Sequence, residues 1–126
     1  MTAYMTDCLL VYITAPGPGA AEKLCRALVE ERLAACANMA DGLRSLYWWR
    51  GEMEKAEETL CVLKTTRARF DALATRAKEL HDYETPCIVA LPLEAGDADY
   101  LAWIHTETTP CQVTTTPGAK AAKEPK

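Results

Sequence analysis

Three side chains able to hold a metal ion or carry a proton fall within seven residues of one another: His81, Glu84 and Cys87. Thiolate and imidazole are the softer donors among protein side chains and belong to transition-metal chemistry. Cys36, like Cys87, lies by a strand end or connection, which leaves a ligand role open beside core packing. Cys8, Cys25 and Cys61 instead sit in apolar stripes, where a free cysteine behaves as a small hydrophobe. None of the six cysteines forms a CxxC pair, so the spacing does not point to a dedicated structural zinc site. His81, Cys36 and Cys87 are therefore the candidate metal ligands. The alternative for His81 is to close its helix, where a cation or donor meets free carbonyls. His105 reads as an exposed surface residue.

A second constellation is built on charge. Lys64 falls in a strand-like segment between Leu63 and Thr65, where an unpaired ammonium is costly. It must reach water at an edge or find a carboxylate, with Glu58 and Glu84 as candidates. One reading is an ion pair that fixes register between subunits. The other is a cleft between subunits for a small anion, lined by Lys64, Tyr83 and Glu84, with Trp48 as an apolar wall. Catalysis has little to stand on: Ser45 is the only serine, and no GxSxG, HExxH or Walker pattern occurs. Residues 17–19 lack the glycines and the Lys-Ser/Thr ending of a phosphate loop. A Cys36–His81 nucleophile pair is the one catalytic arrangement that spacing leaves open.

Positioning these residues falls to alternating strand-like and helix-like segments. Residues 8–14 form a continuous apolar run, which suits a central strand covered on both faces, and the Pro/Gly stretch 15–19 ends it. Residues 20–34 predict a helix with Ala21, Leu24, Cys25 and Leu28 on its buried face. Residues 36–39 are extended and lead through Asp41-Gly42 into a hairpin over residues 43–66. Its arms are residues 43–49 and 59–66, joined by a polar connection, 50–58, in which Gly51 supplies backbone freedom. Thr66 is a plausible N-cap for a second helix bearing Phe70, Leu73, Ala74, Ala77, Leu80 and His81. Residues 82–86 break that helix, 87–91 form the last main strand, and Asp97 can open a short third helix.

The chain of 126 residues with 49% apolar and 25% charged residues is one ordinary globular domain. We expect a flexible start at 1–7, a folded domain over 8–108 and a disordered Thr/Pro/Ala/Lys-rich tail over 109–126. The longest apolar run is too short to cross a bilayer, and no basic-then-apolar leader precedes it, so no membrane partner is expected. The net charge is −4, with +2 in the tail from Pro110, leaving an acidic body that argues against nucleic acid. Six cysteines without a leader suit a reduced, cytoplasmic chain.

The element order fits an α+β, ferredoxin-like (split βαβ) plan: a four-stranded antiparallel sheet with both main helices on one face. That plan leaves the other sheet face uncovered. A strand from residue 35 to 50 would run on the order of 50 Å, against roughly 35 Å for a compact domain of this size. Tyr47, Trp48 and Trp49 alternate faces, so both sides of the overhanging arm need cover. The expectation is a homo-oligomer.

Five segments in order carry a family resemblance: Glu31-Arg32-Leu33-Ala34-Ala35-Cys36-Ala37-Asn38, Ser45-Leu46-Tyr47-Trp48-Trp49-Arg50-Gly51, Leu63-Lys64-Thr65, Leu80-His81-Asp82-Tyr83-Glu84-Thr85-Pro86 and Asp99-Tyr100-Leu101-Ala102-Trp103. Together they resemble the CutA divalent-cation-tolerance proteins over roughly residues 8–106. The resemblance implies a cytoplasmic homotrimer whose long hairpins wrap neighbouring subunits, a link to copper and other divalent metals, and no established reaction. Its subunit and trimer plan also resembles PII signalling proteins, which implies the alternative of an adaptor or small-ligand sensor with clefts between subunits and partner proteins or small anions as ligands. The copper ligands proposed in relatives correspond here to Ile13, Leu80 and His81, of which only His81 is a donor.

Overall fold

An uncharged eight-residue run makes β2 (Cys8–Ala15) a strand that can be buried on both sides, and the fold is built around it. The computed structural model describes residues 1–4 and 6–110. In chain order its elements are β1 (Thr2–Tyr4), β2, α1 (Pro18–Glu30), β3 (Cys36–Trp49), β4 (Glu52–Thr66), α2 (Arg67–Leu80), β5 (Ile88–Pro92), β6 (Ala95–Asp97) and α3 (Ala98–Thr108). The main sheet has the order β3-β4-β2-β5 with every neighbour antiparallel, as the ferredoxin-like plan requires.

One sheet face is sealed by α1 and α2. Val11 and Ile13 of β2 and Cys61 and Leu63 of β4 meet Ala21, Leu24, Cys25 and Leu28 of α1 and Leu73 and Ala77 of α2, all buried. The helical spacing read from the sequence thus identifies the buried stripe of α1. The helix starts two residues earlier than expected, with Pro18 at its first position, and stops at Glu30 rather than 34. Arg32 takes φ 64° and the amides of Leu33 and Ala34 fold back onto the Leu28 carbonyl, which ends the helix without glycine. Asp97 caps α3, accepting the Tyr100 amide at 3.0 Å.

The opposite face is only partly covered. Cys8 projects to this side and is sealed with Leu101 and Ile104 of α3, so the third helix covers one end of the sheet. Beyond it the register sets Leu10 beside Leu91 and Tyr12 beside Val89 and Val62. Val89 and Leu91 are 52% and 59% exposed.

The hairpin is longer than its sequence suggests. The expected connection at 50–58 contracts to a two-residue turn, Arg50 (φ 52°) and Gly51 (φ 86°), a pairing of positive φ angles that matches strand twist. Residues Glu52 to Glu58 are strand, laddered against Leu43 to Trp49 with a bulge between Ala40 and Leu43. Trp48 faces Met53 across the ladder and they are 74% and 63% exposed.

The start of the chain also differs from expectation. Thr2–Tyr4 pairs with Ala95–Asp97 as a separate two-stranded sheet, and the Ala98 amide donates to the Met1 carbonyl. A side chain at Gly96 would meet Leu101 at 3.2 Å, so glycine is what lets this sheet sit against α3. Part of the segment expected to be flexible, 1–7, is therefore strand. The expected tail lies outside the described residues from 111 onward.

Leu63 is fully buried between the sheet and its helices, and Leu63→Ala should cost about 2–5 kcal/mol in denaturant unfolding. Asp97→Ala, at a half-exposed cap, should cost about 1 kcal/mol.

Candidate functional site

The break after α2 brings His81 back against the end of β2. Its Nε2 lies 2.7 Å from the Thr14 carbonyl, and its Nδ1 accepts the Tyr83 amide at 3.1 Å. The neutral Nε2–H tautomer satisfies both contacts, so neither ring nitrogen is left over for an ion. The Tyr83 ring lies 4.8 Å from the imidazole. A shallow cavity of about 90 Å³ beside it is lined by Ala15, Pro16, Lys23, Leu80, His81 and Asp82.

Tyr83 then reaches the base of the hairpin. Glu58 is almost wholly buried there, and its two oxygens accept Ser45 Oγ at 2.6 Å and Tyr83 Oη at 2.8 Å. Two hydroxyl donors are what a buried carboxylate needs in place of water. Burial and then the Glu58 contact push the Tyr83 hydroxyl up to about 12. The same neighbourhood raises the Cys87 thiol, first by desolvation and then through the Glu58 charge. Glu84 turns outward and pairs with Arg50 at 3.0 Å, tying the hairpin turn to the loop after α2.

Lys64 occupies the far end of β4. Its Nζ donates to Asn38 Oδ1 at 3.3 Å, stands 3.9 Å from Cys36 Sγ and lies 5.9 Å from the centre of the Tyr100 ring. Cys36 is its cross-strand neighbour and also contacts Tyr100 Oη at 3.5 Å. Neither carboxylate named from the sequence reaches Lys64 within the chain: Glu58 is held by Ser45 and Tyr83, and Glu84 by Arg50.

The sequence-derived residues thus fall into separate places. His81, Tyr83 and Glu84 share the loop that closes onto the hairpin base and turn, Cys87 feels Glu58, and Cys36 belongs with Lys64 and Tyr100 at the other end of the sheet. Trp48 is exposed near the hairpin tip. His81, Cys36 and Cys87 do not form a common ligand group within the chain. Among the described residues, one set of three donors does converge: Asp7, Cys8 and His105, whose ligand atoms all lie within 4.8 Å of one another. Sequence spacing gave no hint of it, because Cys8 reads as core, His105 as surface, and 98 positions separate Asp7 from His105.

The tyrosines give a pH test. Tyr83 and Tyr100 are each pushed up to about 12, Tyr100 by burial and then by Cys36. A group whose folded pKa exceeds its unfolded value, near 10 for tyrosine, stabilises the fold below that value. This contribution should be present below about pH 10 and fade between about pH 10 and 12. Phenolate absorbance should show two late-titrating tyrosines, one of which disappears in Tyr83→Phe.

Comparison with known proteins converges on one family. The family model described as CutA1 divalent ion tolerance protein matches residues 9–107. The divalent-cation tolerance protein CutA of Thermus thermophilus is 46% identical over 99 residues, covering 79% of this chain and 96% of that protein. The chloroplastic protein CutA 1 of Oryza sativa is 36% identical over 107 residues, covering 85% of this chain, which spans 60% of that longer protein. The crystal structure of CutA from Xylella fastidiosa superposes with a TM-score of 0.80 at 38% identity, covering 82% of this chain and all of the other. The Thermus thermophilus structure gives a TM-score of 0.79 at 45% identity over 81% of this chain and 99% of that one. Divalent ion or cation tolerance is the description carried by the family model and by the Thermus thermophilus protein. With the family model spanning most of its folded domain, the chain belongs to the CutA1 divalent ion tolerance family.

Proposed function

We propose that this chain works as a homotrimer in a reducing cytoplasm, binding or responding to copper and other divalent metal ions without catalysing a reaction. The observation that carries the assembly is the apolar surface one chain leaves in water: Leu46, Trp48 and Met53 on the hairpin, and Val89 and Leu91 on the sheet face, all exposed by half or more. Apolar surface on an open sheet face and on an overhanging hairpin supports pairing with further copies. All five described cysteines are free, which suits a reducing compartment. No helix among the described residues is long and apolar enough to cross a membrane.

For the metal response, Cys36 and Cys87 offer thiols outside the sealed core, half-buried and exposed respectively. His81 joins them only by giving up Thr14 or Tyr83. That occupancy favours a second reading, a PII-like adaptor or small-ligand sensor in which metal binding is incidental. Its cleft of Lys64, Tyr83, Glu84 and Trp48 assembles only between subunits. Within one chain, Tyr83 meets β4 at Glu58, about 20 Å of strand away from Lys64.

Native mass spectrometry of the reduced protein during copper addition tests both readings. The metal reading expects a trimer with discrete copper adducts that shrink in Cys36→Ser/Cys87→Ser and in His81→Ala. Graded adducts indifferent to these changes would transfer the case to the cleft and a ligand screen. A monomer would overturn the assembly itself.

A further inference from the structure

We propose that Asp7, Cys8 and His105 form a site for a divalent cation of intermediate softness, the class to which Zn2+ belongs, at the end of β2 opposite His81. Three different donors converge there from two parts of the chain. His105 Nε2 stands 2.7 Å from Asp7 Oδ1, and the Cys8 thiol completes the set, with all three donor atoms within 4.8 Å. Thiolate and carboxylate beside a neutral imidazole carry a charge of −2, which a divalent ion cancels. A tetrahedral ion bound at about 2.0–2.3 Å needs donors roughly 3.3–3.8 Å apart. The donor set therefore requires a small opening of the His105–Asp7 contact and a closing of the widest pair from within 4.8 Å, and the half-exposed side chains of Asp7 and His105 allow both. Three protein ligands leave the fourth position to water, facing the open side.

The surroundings hold the donors in place. Cys8 is fully buried and its amide donates to Thr6 Oγ1 at 3.1 Å, while Thr6 itself donates to the Leu93 carbonyl at 2.8 Å. The Asp7 carbonyl accepts the Arg67 amide at 2.9 Å, fixing that backbone to the start of α2. On α3, Thr109 Oγ1 donates to the His105 carbonyl at 2.7 Å. Cys8 Sγ lies 3.8 Å from the Leu101 carbonyl. That carbonyl lies four residues before His105 in the same helix and has the backbone partner of an α-helical turn, so loss of the S–H proton leaves it satisfied. Binding therefore sends the Cys8 proton to solvent as the metal–sulfur bond forms. The bound ion would staple α3 to the sheet and to the chain start. A purely structural role, an exposed His105–Asp7 pair over a packed thiol, has no use for a metal.

Cobalt(II) added alone to the reduced, metal-free protein separates the two. The site predicts one equivalent per chain, with a sulfur-to-cobalt charge-transfer band and intense tetrahedral visible bands that Zn2+ displaces. His105→Ala, at an exposed position that leaves the fold intact, should weaken Co2+ by more than the roughly 10–100-fold typical of changes outside the ligand set, and Cys8→Ser should abolish the charge-transfer band. The Cys36→Ser/Cys87→Ser variant should keep both features, so this assignment stands or falls apart from the copper reading. Absence of these bands in the wild type, or their survival in His105→Ala, would overturn it.

Discussion

Most of this structure depends on β4 serving as two strands at once. From Thr59 to Thr66 it is central, paired with β2 on one side and β3 on the other, and it gives Cys61, Leu63 and Thr65 to the core. Thr65 Oγ1 donates to the Leu33 carbonyl and the Ala35 amide donates to the Lys64 carbonyl, so the end of α1 and the start of β3 are referenced to the same strand. From Glu52 to Glu58 it has only β3 for a partner. Its inner half is held by burial and its outer half by a single ladder, and cooperativity between the two keeps the extension in register. The hairpin therefore carries Trp48 and Met53 into water as a direct consequence of how the core is built. Burying one such side chain is worth about 1.5–3 kcal/mol, and that stabilisation is left unrealised in a lone chain.

Polar chemistry collects where this geometry leaves the apolar core. Where β4 departs from the sheet, Glu58 loses water and is satisfied by Ser45 and Tyr83. At the opposite end, α3 covers part of the second face and brings Tyr100 onto Cys36 and Lys64, and His105 onto Asp7. His81 illustrates how local folding limits chemistry: the same turn that places the imidazole near β2 also uses both of its nitrogens. Thiols and imidazoles are thus distributed along the sheet rather than gathered where their spacing in sequence suggested.

What could be read in advance follows from which signals are local. The uncharged run at β2, the stripe Ala21, Leu24, Cys25 and Leu28, the two-faced trio Tyr47, Trp48 and Trp49, and the cap at Asp97 are each decided by neighbours in sequence, and each appears as expected. The outer half of β4 reads as a polar connection in sequence because Glu52, Glu54, Lys55, Glu57 and Glu58 lack apolar alternation, and a ladder mostly open to solvent needs none. Its turn was hidden by Arg50, an unusual residue for positive φ. β1 depends on Gly96 admitting Leu101 from the far end of the chain, and the Asp7–His105 contact spans nearly the whole domain. No spacing rule reaches that far.

The most direct test of the central claim, that the apolar hairpin is covered in the working protein, is the environment of its own tryptophans. Trp103, half-buried against Tyr100, can be removed by Trp103→Phe so that emission reports Trp48 and Trp49 alone. The account predicts blue-shifted emission, weak quenching by iodide and no change on dilution. Water-like emission with full iodide access would contradict it, leaving the hairpin a solvated arm of a monomer.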